Sequence, residues 1–384
     1  MAATLAITPV VSQAVDFSVK GFASVIGGVT TDKSEYRPHV KYGGGKFDES
    51  FALDAESRVG IQVRAGFTDK LSATAQVVSR GGHNWRPELT WAYLGYEVND
   101  NVQLKLGRLK APFYLYSDYQ DVGYALPWIS PPRNAYIVPI DAIDGLNITT
   151  NFSTGKFDHV VEAWVGHIDD TQNKYEDKQL DTEIDAFGFS YAPTYDGWLT
   201  LRYTYNEGDL DFYSDDLNTL HNTLVALSGD DANGIDPKMI ANTTSKSHRG
   251  SFSGLALKAD FDKLTVVAEL NQLEWHTNLF PHQKRAYISA IYRATDKFTP
   301  YITLMKNNDS AGDFQLTAVP GLNTALQKDL GASDTTAWAI GGRYDLMPNV
   351  ALKAEYQSQS SDVTKELRNE DVADTFRVAV DVLF

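Results

Sequence analysis

The sequence predicts an all-β fold: a transmembrane antiparallel β-barrel of about sixteen strands, with short periplasmic turns and long extracellular loops. Three observations predict it. Apolar residues recur at every second position along most of the chain, the connections alternate between short and long, and no apolar run reaches the roughly 18 residues of a membrane helix. The 384 residues are 43% apolar with a mean hydropathy of -0.30. A barrel tolerates that polarity because its lipid face takes only alternate residues.

In chain order, residues 1–14 are expected to be the end of an export signal. Leu5 to Val11 is apolar, and Ser12-Gln13-Ala14 places small residues where a signal peptidase reads, with cleavage before Val15. A frayed arm is the alternative reading. Residues 15–384 then form one barrel domain. From Leu53 the odd positions read Leu, Ala, Ser, Val, Ile, Val, Ala, Phe, and the even ones Asp, Glu, Arg, Gly, Gln, Arg. One face is greasy and the other is too charged for a core. Segments of this kind fall near 15–27, 52–67, 71–80, 88–98, 102–109, 145–152, 157–167 and 182–191. They continue near 198–206, 250–261, 264–274, 284–293, 298–306, 334–344, 350–358 and 372–384. Short turns such as Thr68-Asp69-Lys70 and Asn99-Asp100-Asn101 alternate with long polar segments at 28–51, 168–181, 207–249, 307–333 and 359–371. A soluble sandwich has no reason to sort its loops this way. The longest, the acidic loop 207–249, is expected to hold a helical turn or two within 213–228.

The chain stops on Phe384 with Val382, Val380, Val378 and Phe376 at alternate positions before it, and Asp381, Arg377 and Thr375 between them. This resembles the terminal signature of outer-membrane proteins that the barrel-assembly machinery reads. The register puts Val380 on the lipid face and Ala379 inside, so arginine is expected to be worse at Val380.

Val102 to Arg108, VQLKLGR, resembles the fifth strand of the trimeric sixteen-stranded Gram-negative porins, in which a Gly-Arg pair precedes a loop folded back into the barrel. Residues 111–144 suit that part, because Pro112, Phe113, Tyr114, Tyr116, Tyr119, Trp128 and Tyr136 need something to pack against, and the inner wall supplies it. The resemblance implies a constriction loop at about 111–144 whose Asp118, Asp121, Arg133, Asp141 and Asp144 project into the eyelet. A latch over a neighbouring subunit is the alternative. It also implies a homotrimer in the bacterial outer membrane, exported through the periplasm, in contact with lipid and lipopolysaccharide. The string Gly-Arg-x-Lys-x-Pro-Phe is more weakly similar to the phosphate-selective porins.

Strand register assigns Arg58, Arg64, Lys105, Arg202, Arg285, Arg293, Arg343, Lys353 and Arg377 to the lumen, with Glu56, Glu162, Glu269 and Glu355. About sixteen strands leave a water-filled channel where eight would be filled by side chains. The expected function is passive diffusion of small hydrophilic solutes and ions. The alternatives are a channel selective for phosphate, other anions or small acids, in which Lys110 and Arg133 join the ligands, and an outer-membrane hydrolase.

Chemistry for an enzyme is not apparent. The chain has no Cys, its eight His are dispersed, and neither a His-Glu-x-x-His nor a Gly-x-Ser-x-Gly motif occurs. Gly43-Gly44-Gly45-Lys46 lacks the strand-to-helix context of a phosphate loop, and Asp169-Asp170 and Asp215-Asp216 lack the spacing of a calcium site. No catalytic step, metal, cofactor or nucleic-acid partner is therefore expected. The formal charge of -16 is concentrated in residues 168–185, with seven acids against two bases, and 206–249, with eight against three. These outer charges are screened beyond about 8 Å at physiological salt, so weak selectivity drifting toward cations at low salt is expected.

Overall fold

The computed structural model describes residues 15–31, 35–36, 45–132, 135–136, 138, 142–175, 178–213, 215–228, 237, 240, 243–244, 248–276, 282–310, 333–361 and 373–384. The export-signal segment 1–14 lies outside them. Sixteen strands form: β1 Asp16–Thr30, β2 Arg58–Gly66, β3 Leu71–Arg80, β4 Pro87–Asn99, β5 Val102–Lys110, β6 Ala142–Thr154, β7 Phe157–Tyr175 and β8 Lys178–Tyr195. They continue as β9 Leu199–Tyr213, β10 His248–Phe261, β11 Leu264–Trp275, β12 His282–Tyr292, β13 Phe298–Ser310, β14 Ser333–Met347, β15 Val350–Ser361 and β16 Thr375–Leu383. A helix, α1, spans Asp215–Ser228 within the long acidic loop.

Each strand pairs antiparallel with its sequence neighbours, and β1 closes the cylinder against β16, from Phe22↔Leu383 to Thr30↔Thr375. Closure consumes the sheet edges, so each strand pairs on both sides and none is left open to fray. Gly21 N–H donates to the Phe384 carbonyl at 2.6 Å, and the Gly21 carbonyl accepts from the Phe384 N–H at 2.9 Å. The terminal alternation is realised as expected: Phe376, Val380 and Phe384 are exposed on the outer face while Arg377, Ala379 and Asp381 are buried inside. Tyr96, Phe152, Phe157, Phe261, Tyr292, Phe298 and Tyr344 lie exposed near the short-turn ends, an aromatic girdle for one membrane interface. Asp158 and His159, neighbours in sequence, part: Asp158 accepts from Ser153, and His159 stacks on Phe152 at 4.6 Å.

Two expectations are corrected. Residues 168–181 were assigned to a loop, but β7 and β8 carry their ladder to Tyr175 and Lys178. Above the membrane both faces of a hairpin meet water, so apolar alternation vanishes while backbone pairing persists. Residues 52–57 were assigned to a strand and instead turn inward. Ser57 Oγ accepts from Ile26 N–H at 2.8 Å, and Ala55 packs with Ile26, Phe47 and Ile129.

Candidate functional site

The segment between β5 and β6 folds into the barrel, and its aromatic residues are buried there. Phe113 and Tyr114 meet Phe252 edge-on at 5.1 and 5.3 Å. Trp128 is 1% exposed, packs against Tyr287 and donates from Nε1 to Ser289 at 3.0 Å and Thr303 at 3.1 Å. Tyr136 donates its hydroxyl to Glu269, which also accepts from Leu115 N–H at 3.1 Å and from Tyr287 at 2.7 Å. Leu224 of α1 is fully buried over Leu109, Phe113 and Trp164, so the outer loop seats an apolar ridge on this inward segment.

A buried irregular loop must satisfy its carbonyls, and the wall cations do so. Arg58 Nε donates to Asp121 O at 2.7 Å and Nη2 to Ile129 O at 3.3 Å. Arg202 donates to Pro112 O at 2.7 Å. Lys353 reaches Gly123 O at 2.7 Å and Trp128 O at 2.6 Å, and pairs with Asp381 at 2.8 Å. Arg343 donates to the carbonyls of Tyr124 and Leu126 and lies 4.6 Å from the centre of the Tyr124 ring. A Cβ at Gly123 would collide with the Asp381 and Ser24 side chains, so only glycine fits where the loop comes closest to the wall.

Asp121 is the ionic anchor of the loop. It receives Arg80 at 2.8 Å and Lys110 at 2.7 Å, and all three side chains are at most 10% exposed. Burial pushes its carboxyl upward, but Arg80 and Lys110 outweigh this and hold it well below the usual carboxylate range.

These contacts correct several lumen assignments. Glu56, Arg58, Glu269, Lys353, Glu355 and Arg377 lie on the inner face as expected, yet the loop or each other's charges cover them, leaving each less than 5% exposed. Arg377 joins Glu56 at 2.7 Å and also pairs with Glu355. Arg285 is paired with Asp309, and Arg343 is committed to the loop. All of these are spent on ion pairs or on the loop. Arg293 lies at a short turn, donating to Asp262 O at 3.0 Å, rather than along the channel. Asp121 is likewise spent as an anchor. Asp144 points the other way: it belongs to β6 on the outer face and binds Arg108 of β5 in a two-pronged pair at 2.8 and 2.6 Å. The apolar loop composition ends before residue 142, and strand alternation then decides the face. Arg133 and Asp141 lie outside the described residues.

The remaining accessible charges converge. Asp118 is exposed on the loop, and it, Arg202 and Lys105 lie within electrostatic reach of Glu162. Glu162 accepts from Asn147 Nδ2 at 2.7 Å, and Lys105 Nζ stands 5.7 Å from the centre of the Tyr93 ring. Arg64 is exposed on the lumen parity of β2. Two acids and two bases thus gather between the loop and the β4–β9 wall. Arg80 is not among the charges that the sequence pattern singles out; its only signal there is that it shares the parity of Thr74, Gln76 and Val78, which the structure buries with it.

No family model and no curated protein matches the sequence. Solved structures do. A loop-deletion form of OmpT, an outer membrane protein of Vibrio cholerae, aligns with a TM-score of 0.60 at 11% identity, over 97% of this chain and 100% of its own. OmpF of Salmonella typhi, in complex with daunomycin, aligns at 0.58 and 12%, covering 96% and 97%. An anion-selective porin from Comamonas acidovorans aligns at 0.58 and 11%, covering 96% and 100%. The chain therefore has the fold of the sixteen-stranded outer-membrane porins.

Proposed function

We propose that this chain is a diffusion porin of the bacterial outer membrane, passing small hydrophilic solutes and ions down their gradients without a covalent step. The observation that carries the reading is the edge-free barrel with a loop held against its inner wall and accessible charges of both signs beside that loop. The barrel closes without an edge, its loop is pinned by wall cations, and the charges left over, Lys105, Asp118 and Glu162, lie in one sector with Arg202, which also holds the Pro112 carbonyl. Opposed charges orient a polar solute and carry little net sign, which favours weak ion selectivity. The acidic outer loops add a cation preference as salt falls.

The outer face supports a homotrimer. The Arg108–Asp144 pair is six residues above Val102 and ten above Thr154, or roughly 15 to 25 Å above the short turns at about 3.3 Å per tilted residue. On the outer face such an ion pair would be shielded from lipid by a neighbouring subunit. Export through the periplasm and delivery by the barrel-assembly machinery complete the reading.

Reconstitution in a planar bilayer tests it. Discrete ohmic steps, closing in threes under voltage, are expected, with a reversal potential near zero in concentrated KCl. Absence of any conductance refutes the channel. A saturable current with anion selectivity at all ionic strengths replaces it with a substrate-selective channel.

A further inference from the structure

The inner wall of β4 carries two aromatic rings in sequence alternation, Trp91 and Tyr93. They pair with Gln76 and Thr74 of β3, have the inward parity of their strand, and are both partly exposed. Their ring centroids lie 6.2 Å apart at a tilt of 53°. The inward aromatics Trp128 and Tyr287 are instead buried together under the loop, where packing accounts for them. Rings left partly against water on an otherwise polar wall gain less from burial, so folding explains them less well.

Beside the rings the wall dips. Thr74 and the cross-strand partners Ser72 and Gly95 give a floor of short residues, and a Cβ at Gly95 would come within 3.2 Å of the Ser72 hydroxyl. Taller side chains stand around it. Arg64 of β2 and Tyr93 of β4 flank Thr74 from opposite sides, and Lys105 of β5 is the partner of Gly95. At about 4.8 Å per strand, Arg64 and Tyr93 are rooted about 10 Å apart, room for one six-membered ring between them. The groups bordering the dip are donors. Lys105 Nζ stands 5.7 Å from the centre of the Tyr93 ring, and neither Lys105 nor the exposed Arg64 has a carboxylate partner at ion-pair distance among the described residues. Thr90 donates to Gln76 Oε1 at 2.9 Å and Gln76 Nε2 to Gln62 Oε1 at 3.1 Å, so this relay ends on the Gln62 amide donor beside Arg64. The acids nearest along the ladder already accept from neutral amides, Glu97 from Gln103 and Glu162 from Asn147. Rings stack on rings, and unpaired cations form charge-assisted hydrogen bonds with a carboxylate.

We propose that this niche binds aromatic carboxylates on their way through the barrel, the ring against Trp91 and Tyr93 and the carboxylate between Arg64 and Lys105. The proposal rests on the channel reading for its role in passage, to which it adds a solute class. Binding itself is measured apart from conduction.

The test joins calorimetry of the whole protein in a neutral detergent with single-channel current in a planar bilayer. The probes are benzoate, acetate, glucuronate and benzamide. One benzoate per chain should bind and should interrupt the open current at a frequency that saturates, while the other three do neither at equal concentration. Arg64→Gln and Lys105→Gln should each weaken benzoate about tenfold, the worth of one hydrogen bond to a carboxylate. Trp91→Leu, which removes a stacking face and keeps both cations, should weaken it about fivefold. An SDS-resistant band in each variant reports that the barrel has folded. Benzoate binding without any current refutes the channel and leaves the niche standing, whereas current without benzoate binding refutes the niche and leaves the channel. Equal binding of acetate, glucuronate or benzamide, or an affinity unchanged in all three variants, would overturn the proposal.

Discussion

Replacing Asp121 with alanine removes the carboxylate that joins the inward loop to the wall. Lys110, whose side chain is 4% exposed, then has no counter-charge among the described residues, whereas Arg80 keeps Glu88 at 2.6 Å. Breaking a buried pair by deleting one partner costs about 3 to 5 kcal/mol, and the surviving Arg80–Glu88 contact places this case near 3. The sign with pH follows from the depressed carboxyl. Its stabilisation is complete above the ordinary value of 3.8 and is lost only as pH falls through the lower folded value. The wild-type loop should therefore stay fixed from pH 7 down to about pH 4, and loosen only in stronger acid. The assay pairs the temperature at which the SDS-resistant band converts to the unfolded one with open-channel current noise at each pH. Asp121→Ala should lower the first and raise the second at neutral pH, and Lys110→Ala in the same chain should recover part of the loss. Unchanged melting and noise in Asp121→Ala would refute the anchor.

Three further outcomes follow from the same geometry. Lys105→Glu reverses one of the two bases beside the loop and should move the reversal potential in dilute KCl toward cations; an unmoved potential puts the path elsewhere. Trp128→Ala empties a fully packed site at a cost of about 3 to 5 kcal/mol and should raise unit conductance, so an unchanged channel of equal stability would contradict the packing. Arginine at the outward Ile288, 49% exposed, should cost about 2 to 4 kcal/mol near the midplane and hinder assembly, while arginine at the lumen-facing Thr149 should be tolerated. Equal effects would mean the register is shifted by one. Ala379 is unsuitable for that comparison because, although inward, it is buried against Ile26 and Ile129.

Much of the barrel was legible because lipid enforces a rule that sequence displays directly: every second residue must be apolar wherever a strand crosses. Each of the sixteen alternating segments contains a strand, though β2 begins only at Arg58, and the inner or outer face of Arg58, Glu269, Lys353 and Arg377 follows from parity. Where lipid ends, the rule ends, so the upper ladder of β7 and β8 was hidden. Parity also says nothing about what covers an inward side chain. Arg58, Arg343 and Lys353 read as channel lining because their partners are the carbonyls of Asp121, Leu126 and Gly123, atoms every residue has and no sequence pattern marks. Asp144 was misplaced for the converse reason. Its neighbours in sequence belong to the loop, while its side chain obeys the strand.

Because the chain contains no cysteine, thiols introduced one at a time report the water path directly. With the protein conducting in a planar bilayer, a charged methanethiosulfonate reagent should step down the current of Lys105→Cys, beside the loop. It should leave Ser289→Cys untouched, since Ser289 is 0% exposed behind Trp128. Rapid modification of Ser289→Cys with no effect at Lys105→Cys would contradict a path between the inward loop and the β4–β9 wall.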